Sequence, residues 1–236
     1  MKDGTPPRGA RIGTAKLRQF RESVARRTYN IVLTGVGGQG VVTAARVLAE
    51  AALASGLDLR MFGSYGMAQR GGAVSVHLRL GGRVLNARVE EGTASLIVGL
   101  ELLETVRSLP LLAPDGIVIA TKRLIPPAGT VMRGGADGLL KLLCDLPGSL
   151  ILDAEALAGA AGTRGVSAVL LGAASRVPGF PVREEALESL VAVDAGAERE
   201  EALRAFRRGR REAVEYFKTQ VARRELEGGG SWVDGE

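Results

Sequence analysis

Residues 30–54 read NIVLTGVGGQGVVTAARVLAEAALA. Ile31 to Thr34 form a short aliphatic and β-branched run, the composition of a strand. Gly35, Gly37, Gly38 and Gly40 follow as a cluster, and Val41 to Ala54 form a proline-free stretch of Ala, Leu and Val that predicts a helix. Strand, glycine turn and helix make the opening unit of a Rossmann-like, doubly wound α/β fold, with helices on both faces of a central sheet. The first N–H groups of such a helix have no intrahelical partner and sit at the positive end of its dipole, so the turn is a natural seat for an anion.

The spacing narrows this without closing it. Gly35, Gly37 and Gly40 satisfy G-x-G-x-x-G, but the next strand, Leu59 to Phe62, ends in Gly63 and Ser64, not in the acidic residue that holds a dinucleotide ribose. Gly40 is followed by Val41 and Val42, so the lysine and hydroxyl of a phosphate-binding P-loop are absent too. Two readings stay open: the glycines let helix and strand pack closely, or they bare the N–H groups of Gly37, Gly38, Gln39 and Gly40 to an anion.

The most particular stretch comes next, Gly63-Ser64-Tyr65-Gly66-Met67-Ala68-Gln69-Arg70-Gly71-Gly72. Its period is neither helical nor extended, and it follows the carboxyl end of a strand, where open α/β sheets hold their ligand crevice. It is expected to lie beside the first glycine turn. Arg70 has the donor fork suited to phosphate or carboxylate, and Gln69 both donates and accepts. Ser64, Tyr65, Met67, Gln69 and Arg70 are therefore candidate lining residues, against the plainer reading of a surface loop whose Arg70 pairs with a nearby carboxylate.

Beyond the loop, Val74, Val76, Leu78 and Leu80 alternate with Ser75, His77 and Arg79, the pattern of a half-buried strand. Gly81-Gly82 is a two-residue turn signal, and Arg83 to Val89 is expected to return as the partner strand of an inserted antiparallel hairpin, which makes the sheet mixed. His77, the one histidine, is expected to be structural. Glu101 falls at a strand–helix junction, and Thr121-Lys122-Arg123 at another carboxyl end. Cys144 is expected to be a small buried group on the helix of Asp137 to Leu146. The apolar helix Val166 to Ser175 needs cover on most sides. A long charged helix, Glu198 to Leu226, carries Leu203, Phe206, Val214, Phe217 and Val221 as a stripe for the domain or a partner.

Charge and cysteine content exclude several classes. The chain has 236 residues and a net charge of +5. Residues 1–28 carry eight Lys or Arg against Asp3 and Glu22, a net +6, which leaves −1 for the rest. A basic, flexible arm (1–28), one α/β domain (29–227) and a flexible tail (228–236) are expected. The arm lacks interleaved aromatics beyond Phe20, so a solvated or subunit-docking arm is favoured over a nucleic-acid patch. A single cysteine excludes a disulfide framework, a four-cysteine zinc site and an all-cysteine iron–sulfur cluster within this chain. No signal-type segment and no apolar run of spanning length is read in the sequence, which points to the cytoplasm and away from a membrane.

The order GVGGQG, helix, strand, SYGMAQRGG, then VEEGTASLIVGLELLE and VSAVLLGAASRVPGFP, resembles the small γ-type subunit of the 2-oxoacid:ferredoxin oxidoreductases. The GMAQRGG form is most similar to the β subunit of the indolepyruvate ferredoxin oxidoreductases, and the likeness runs over about residues 30–217. The resemblance implies oxidative decarboxylation of a 2-oxoacid on thiamine diphosphate with magnesium, and electron transfer through 4Fe-4S clusters to ferredoxin. It also implies that the acyl group passes to coenzyme A. Those cofactors are expected on a larger partner subunit, which also sets most of the substrate choice. This chain is then expected to be inactive alone and to complete the active-site complex. It would either hold the phosphorylated part of coenzyme A or border the substrate channel, with no catalytic residue and no metal ligand of its own assigned. The competing readings are a stand-alone nucleotide-binding domain and a regulator that binds nucleic acid through the arm.

Overall fold

The computed structural model describes residues 28–66, 71–126, 129 and 135–226. The first strand, β1 (Thr28–Val36), is followed by α1 (Val41–Ala54), β2 (Asp58–Tyr65), β3 (Ala73–Gly81), β4 (Ala94–Gly99) and α2 (Leu102–Ser108). Then come β5 (Leu112–Thr121), α3 (Asp137–Cys144), β6 (Ser149–Leu152), α4 (Ala154–Ala158), α5 (Gly162–Ala174), α6 (Glu184–Ala195) and α7 (Arg199–Leu226). The six strands make one sheet in the order β2-β3-β1-β4-β5-β6. β1 pairs in parallel with β4, β4 with β5, and β5 with β6, while β3 is antiparallel to both β1 and β2. Five strands thus share one direction and β3 alone opposes them.

Period-2 alternation divides the core between the two faces of the sheet. Ile31, Leu33, Val76, Leu78, Leu96, Val98 and Ile119 face α1 and the C-terminal helices, whereas Val32, Ile97, Val118 and Ala120 pack with Leu102 of α2 and Leu143 of α3. This is the expected three-layer α/β architecture with a mixed sheet. α1 begins and ends at the residues its composition indicates, and its buried stripe is mostly Ala and Val, which lets it lie close to the sheet.

The antiparallel hairpin is present, but its strands differ from the expected pair. It is β2 and β3, joined through the glycine-rich loop, and residues 83–89 form no strand. β3 already has β1 on one side and β2 on the other, so no ladder edge is left for a third partner. The 83–89 segment is instead pinned by side chains: Val84 N–H donates to Asp58 Oδ2 at 2.8 Å and Val89 N–H to His77 Nδ1 at 3.1 Å. In the same way β3 separates β1 from β2, so the opening β1-α1-β2 unit crosses over one intervening strand.

The apolar helix finds its cover within the chain. α5 lies against α7, and at their crossing each helix presents a glycine to the backbone of the other. A Cβ on Gly172 would stand 2.0 Å from Phe206 O, and one on Gly209 1.9 Å from Val169 O. The buried side of α7 is therefore mostly small, with Ala202, Ala205, Phe206, Gly209 and Ala213. Leu203, Val214 and Phe217 are only half-buried. Ala154–Ala174 is long and apolar enough to cross a membrane by length and composition, an exception to the sequence reading. In the fold it comprises α4, a 3-10 turn and α5, and most of it is buried. Cys144 ends α3 exposed, contrary to expectation, because the helix turns Leu143, not Cys144, toward the core. Apart from Thr28, the basic arm lies outside the described residues, as does the tail.

Candidate functional site

The glycine turn sits at the carboxyl end of β1, between strands that lead the chain in opposite directions across the sheet. That is the position where doubly wound folds open a crevice. Gly38 and Gly40 have φ of 97° and 79°, in the left-handed region, and this sets the turn's shape. Gly40 is the N-cap of α1; no side chain caps the helix, and its first turn holds no acidic residue. The positive end of α1 is therefore not neutralised by its own sequence.

The Gln39 side chain closes the bottom of the crevice. Its Oε1 accepts the Val36 N–H at 2.9 Å, and its Nε2 donates to Leu100 O at 2.7 Å, joining the ends of β1 and β4. Gly35 exists to admit this brace. It is buried in β1, and a Cβ there would lie 2.8 Å from Gln39 Oε1 and 2.9 Å from Val41 Cγ2.

The two glycine-rich loops meet as expected. Gly37 N–H donates to Gly72 O at 2.8 Å, and Gly71 N–H donates to Gly37 O at 3.3 Å. The joined turn separates two clefts. One, of about 500 Å³, is lined by Gly37, Gly38, Gln39, Gly71, Arg123, Ile125, Glu155, Gly159, Gly162, Thr163 and neighbours. The other, of about 540 Å³, is lined by Val36, Gly37, Gly38, Gly40, Val41, Val42, Tyr65, Gly66 and Val74. The first is the more polar and holds one charge of each sign, Arg123 and Glu155; the second is apolar, with no charged side chain among its described lining residues. A smaller hollow of about 230 Å³ lies behind Gly40 among α1, α5, α6 and α7, but its rim residues Arg46 and Asp194 are paired with each other.

The start of α5 lines the polar cleft, whereas that of α1, at Gly40 and Val41, opens on the apolar one. Thr163 in the first turn of α5 lies against the turn, with its Cγ2 3.8 Å from where a Gly40 Cβ would stand. α5, like α1, has no side-chain cap and no acidic residue in its first turn. Arg123, after β5, adds a guanidinium, paired at 3.6 Å with Glu155, which itself accepts from Thr121 Oγ1 at 2.7 Å. Arg123 is thus held near the cleft by a long contact, with room to engage a second anion. Lys122 is committed elsewhere: it pairs with Asp153 at 2.6 Å, a hydrogen bond that holds that carboxyl below its usual range.

Of the residues anticipated from sequence, Gly37, Gly38 and Gln39 line the polar cleft, and Gly37, Gly38, Gly40 and Tyr65 the apolar one. The Gly37 N–H donates to Gly72 and the Gln39 N–H to Val36 O at 3.2 Å, so of the anticipated donors Gly38 and Gly40 remain, together with the first turn of α1. Ser64 lies exposed within β2, which runs on to Tyr65, and, like the buried Gly35, is among the lining residues of neither cleft. Met67, Gln69 and Arg70 lie outside the described residues.

Glu101, at its strand–helix junction, does not face a ligand. It is fully buried, caps α2 by accepting the Glu104 N–H at 2.7 Å, and receives the Ile125 N–H at 2.8 Å. His77 is buried, edge-on to Phe62 at 5.7 Å, and burial with the nearby Arg88 charge pushes its pKa down, as befits a structural acceptor. Sequence reading passed over Arg123 and Thr163 as site residues. Arg123 at a strand's carboxyl end was a visible signal, whereas Thr163 is brought in only by the α5–α1 contact.

Comparison with known proteins places this arrangement. Residues 30–212 match the family described as pyruvate ferredoxin/flavodoxin oxidoreductase. The chain is 38% identical over 174 residues to an indolepyruvate oxidoreductase subunit IorB from Thermococcus kodakarensis, covering 71% of this chain and 86% of that one. It is similar in structure to the pyruvate oxidoreductase subunit PORC from Thermotoga maritima, with TM-score 0.57 and 26% identity, over 78% of this chain and 96% of the other. It shares its fold with a keto/oxoacid ferredoxin oxidoreductase gamma subunit from Geobacter sulfurreducens, with TM-score 0.58 and 22% identity, over 79% of this chain and 99% of that one.

Proposed function

This chain belongs to the pyruvate ferredoxin/flavodoxin oxidoreductase family, and on that premise we propose that it is the small subunit completing an indolepyruvate- or arylpyruvate-type 2-oxoacid:ferredoxin oxidoreductase. In this reading a larger subunit carries thiamine diphosphate, magnesium and the 4Fe-4S clusters, and the complex works in the cytoplasm. Those groups supply decarboxylation of the 2-oxoacid and delivery of its electrons to ferredoxin. This chain is inactive alone.

Its own residues supply anion binding. The observation that carries this is the joined glycine turn, where the backbone of Gly38, the uncapped start of α5 and the Arg123 guanidinium border one cleft. That donor set suits the phosphates of coenzyme A: backbone N–H groups and the α5 dipole offer fixed positive poles, and Arg123 offers a planar fork. Gln39 keeps the turn in place and takes no part in binding through its side chain. Arg70, one residue before the anchored Gly71, is a further candidate for the same anion.

Steady-state kinetics of the reconstituted complex test this. Arg123→Ala is expected to raise the KM for coenzyme A about tenfold, the effect of one lost charged hydrogen bond, with little change in the KM for the 2-oxoacid. A coenzyme A KM equal to wild type in an otherwise active complex overturns the anion-site assignment.

A further inference from the structure

The two edges of the sheet are built differently. β6 is four residues long and largely buried. β2 is eight residues long, pairs with β3 in unbroken register, and is exposed over most of its length. An edge strand is a template for another strand, and proteins usually blunt it with Pro, Lys, a bulge or cover. Among the described residues β2 has none of these. Its one cation, Arg60, folds back onto Asp58 at 2.9 Å, so the strand presents no net charge. It does present apolar groups: Met61 is 48% exposed, Phe62 39% and Tyr65 60%. From the pairing with β3, Met61 and Tyr65 project on the α1 side and Phe62 on the other. On the α1 side the patch continues through Val42, 44% exposed, into the apolar cleft beside the glycine turn, which Tyr65 and Val42 both line.

We propose that β2 is the edge on which the cofactor-bearing subunit docks, by adding an extended apolar segment to this sheet. The inference rests on the reading under Proposed function, in which coenzyme A held at the glycine turn has to reach thiamine on the larger subunit, so that subunit faces the turn. Tyr65 belongs both to β2 and to the lining of the cleft at that turn, so a subunit covering one reaches the other. An added strand satisfies the free N–H and C=O groups of the edge and buries side chains on both faces, the mode of recognition in which main-chain pairing gives affinity and alternate side chains give specificity.

The test uses full-length tagged chain expressed in its native host and isolated anaerobically, with thiamine diphosphate and iron measured per chain. Met61→Lys and Phe62→Lys are each expected to lower both by at least tenfold, while Val193→Lys, at an exposed apolar position on α6, keeps wild-type content. Hydrogen exchange in the wild-type complex provides the second measurement. Amides within residues 59–65 are expected to exchange at least tenfold more slowly than in the isolated chain, whatever the variants do to folding. Wild-type content in the folded Lys variants, or unchanged exchange of β2, overturns the proposal. So does a wild-type homodimer that Met61→Lys splits with no larger subunit present, since a second copy would then hold the edge. A wild-type chain that brings down no thiamine and no iron overturns the underlying functional reading as well.

Discussion

Gln39 stands where the ligand crevice of a doubly wound sheet would open, and it fills that place with its own amide. Both ends of the amide are used, one on Val36 N–H and one on Leu100 O. Gln39→Ala leaves a strand donor and a buried carbonyl without their partner. It is expected to cost about 2 kcal/mol in urea unfolding, with the midpoint shifted and the slope unchanged. The glycine spacing predicted a turn here, but it could not tell that the intervening Gln braces the sheet, because the partner carbonyl is 61 residues away. His77 offers a second test. Its neutral ring accepts the Val89 N–H, and its pKa is depressed, first by burial and then by Arg88. The unfolded chain therefore binds a proton more readily than the native one. The stability this residue contributes is present above the unfolded pKa of about 6.5 and is lost as pH falls toward the folded value. Melting temperatures from pH 8 to pH 5 should fall in the wild type by more than in His77→Gln, which does not titrate; parallel curves would contradict this role.

Among the elements, α5 and α7 show how a nearly featureless apolar helix is used. The Ala- and Gly-rich run of α5 needs cover, and α7 gives it by bringing the two backbones together at Gly172 and Gly209. Gly209→Ala places a methyl group 1.9 Å from Val169 O, where no rotamer can relieve it. Overpacking of this kind is expected to cost about 3 kcal/mol, read as a lowered unfolding midpoint, and an unchanged midpoint would contradict the close crossing. The heavier residues of the long helix suggested a stripe through Leu203 and Val214. The structure buries Ala202, Ala205, Ala213 and Gly209 along with Phe206, because contact distance, not side-chain size, decides this interface. Local pattern was sufficient for β1, α1 and the alternation in β3, where one periodicity dominates. It failed for residues 83–89: Gly81 ends β3 instead of opening a hairpin, and the would-be neighbour β3 is enclosed on both sides. Pairing of that kind is a property of the sheet and leaves no trace in a seven-residue window.

At the scale of the whole molecule, the chain is a three-layer α/β unit in which the glycine turn, the start of α5 and Arg123 gather around one cleft, with the exposed strand β2 at one edge of the sheet. Its single cysteine cannot by itself supply the four thiolates of an all-cysteine iron–sulfur cluster. The two glycine loops could be read as neighbours because both follow strands of the same direction, and the Gly37–Gly72 bond confirms their contact. The convergence of α5 on the same cleft could not, since it depends on how the C-terminal helices wrap the sheet. The most direct test of the central claim is anaerobic isolation of the tagged chain from its native host, followed by assay of 2-oxoacid-dependent ferredoxin reduction in the eluate. A larger subunit containing thiamine diphosphate and iron, active with an aryl 2-oxoacid and coenzyme A, is the predicted result. A chain that elutes alone, free of iron and thiamine, and that binds a nucleotide by itself would contradict the account.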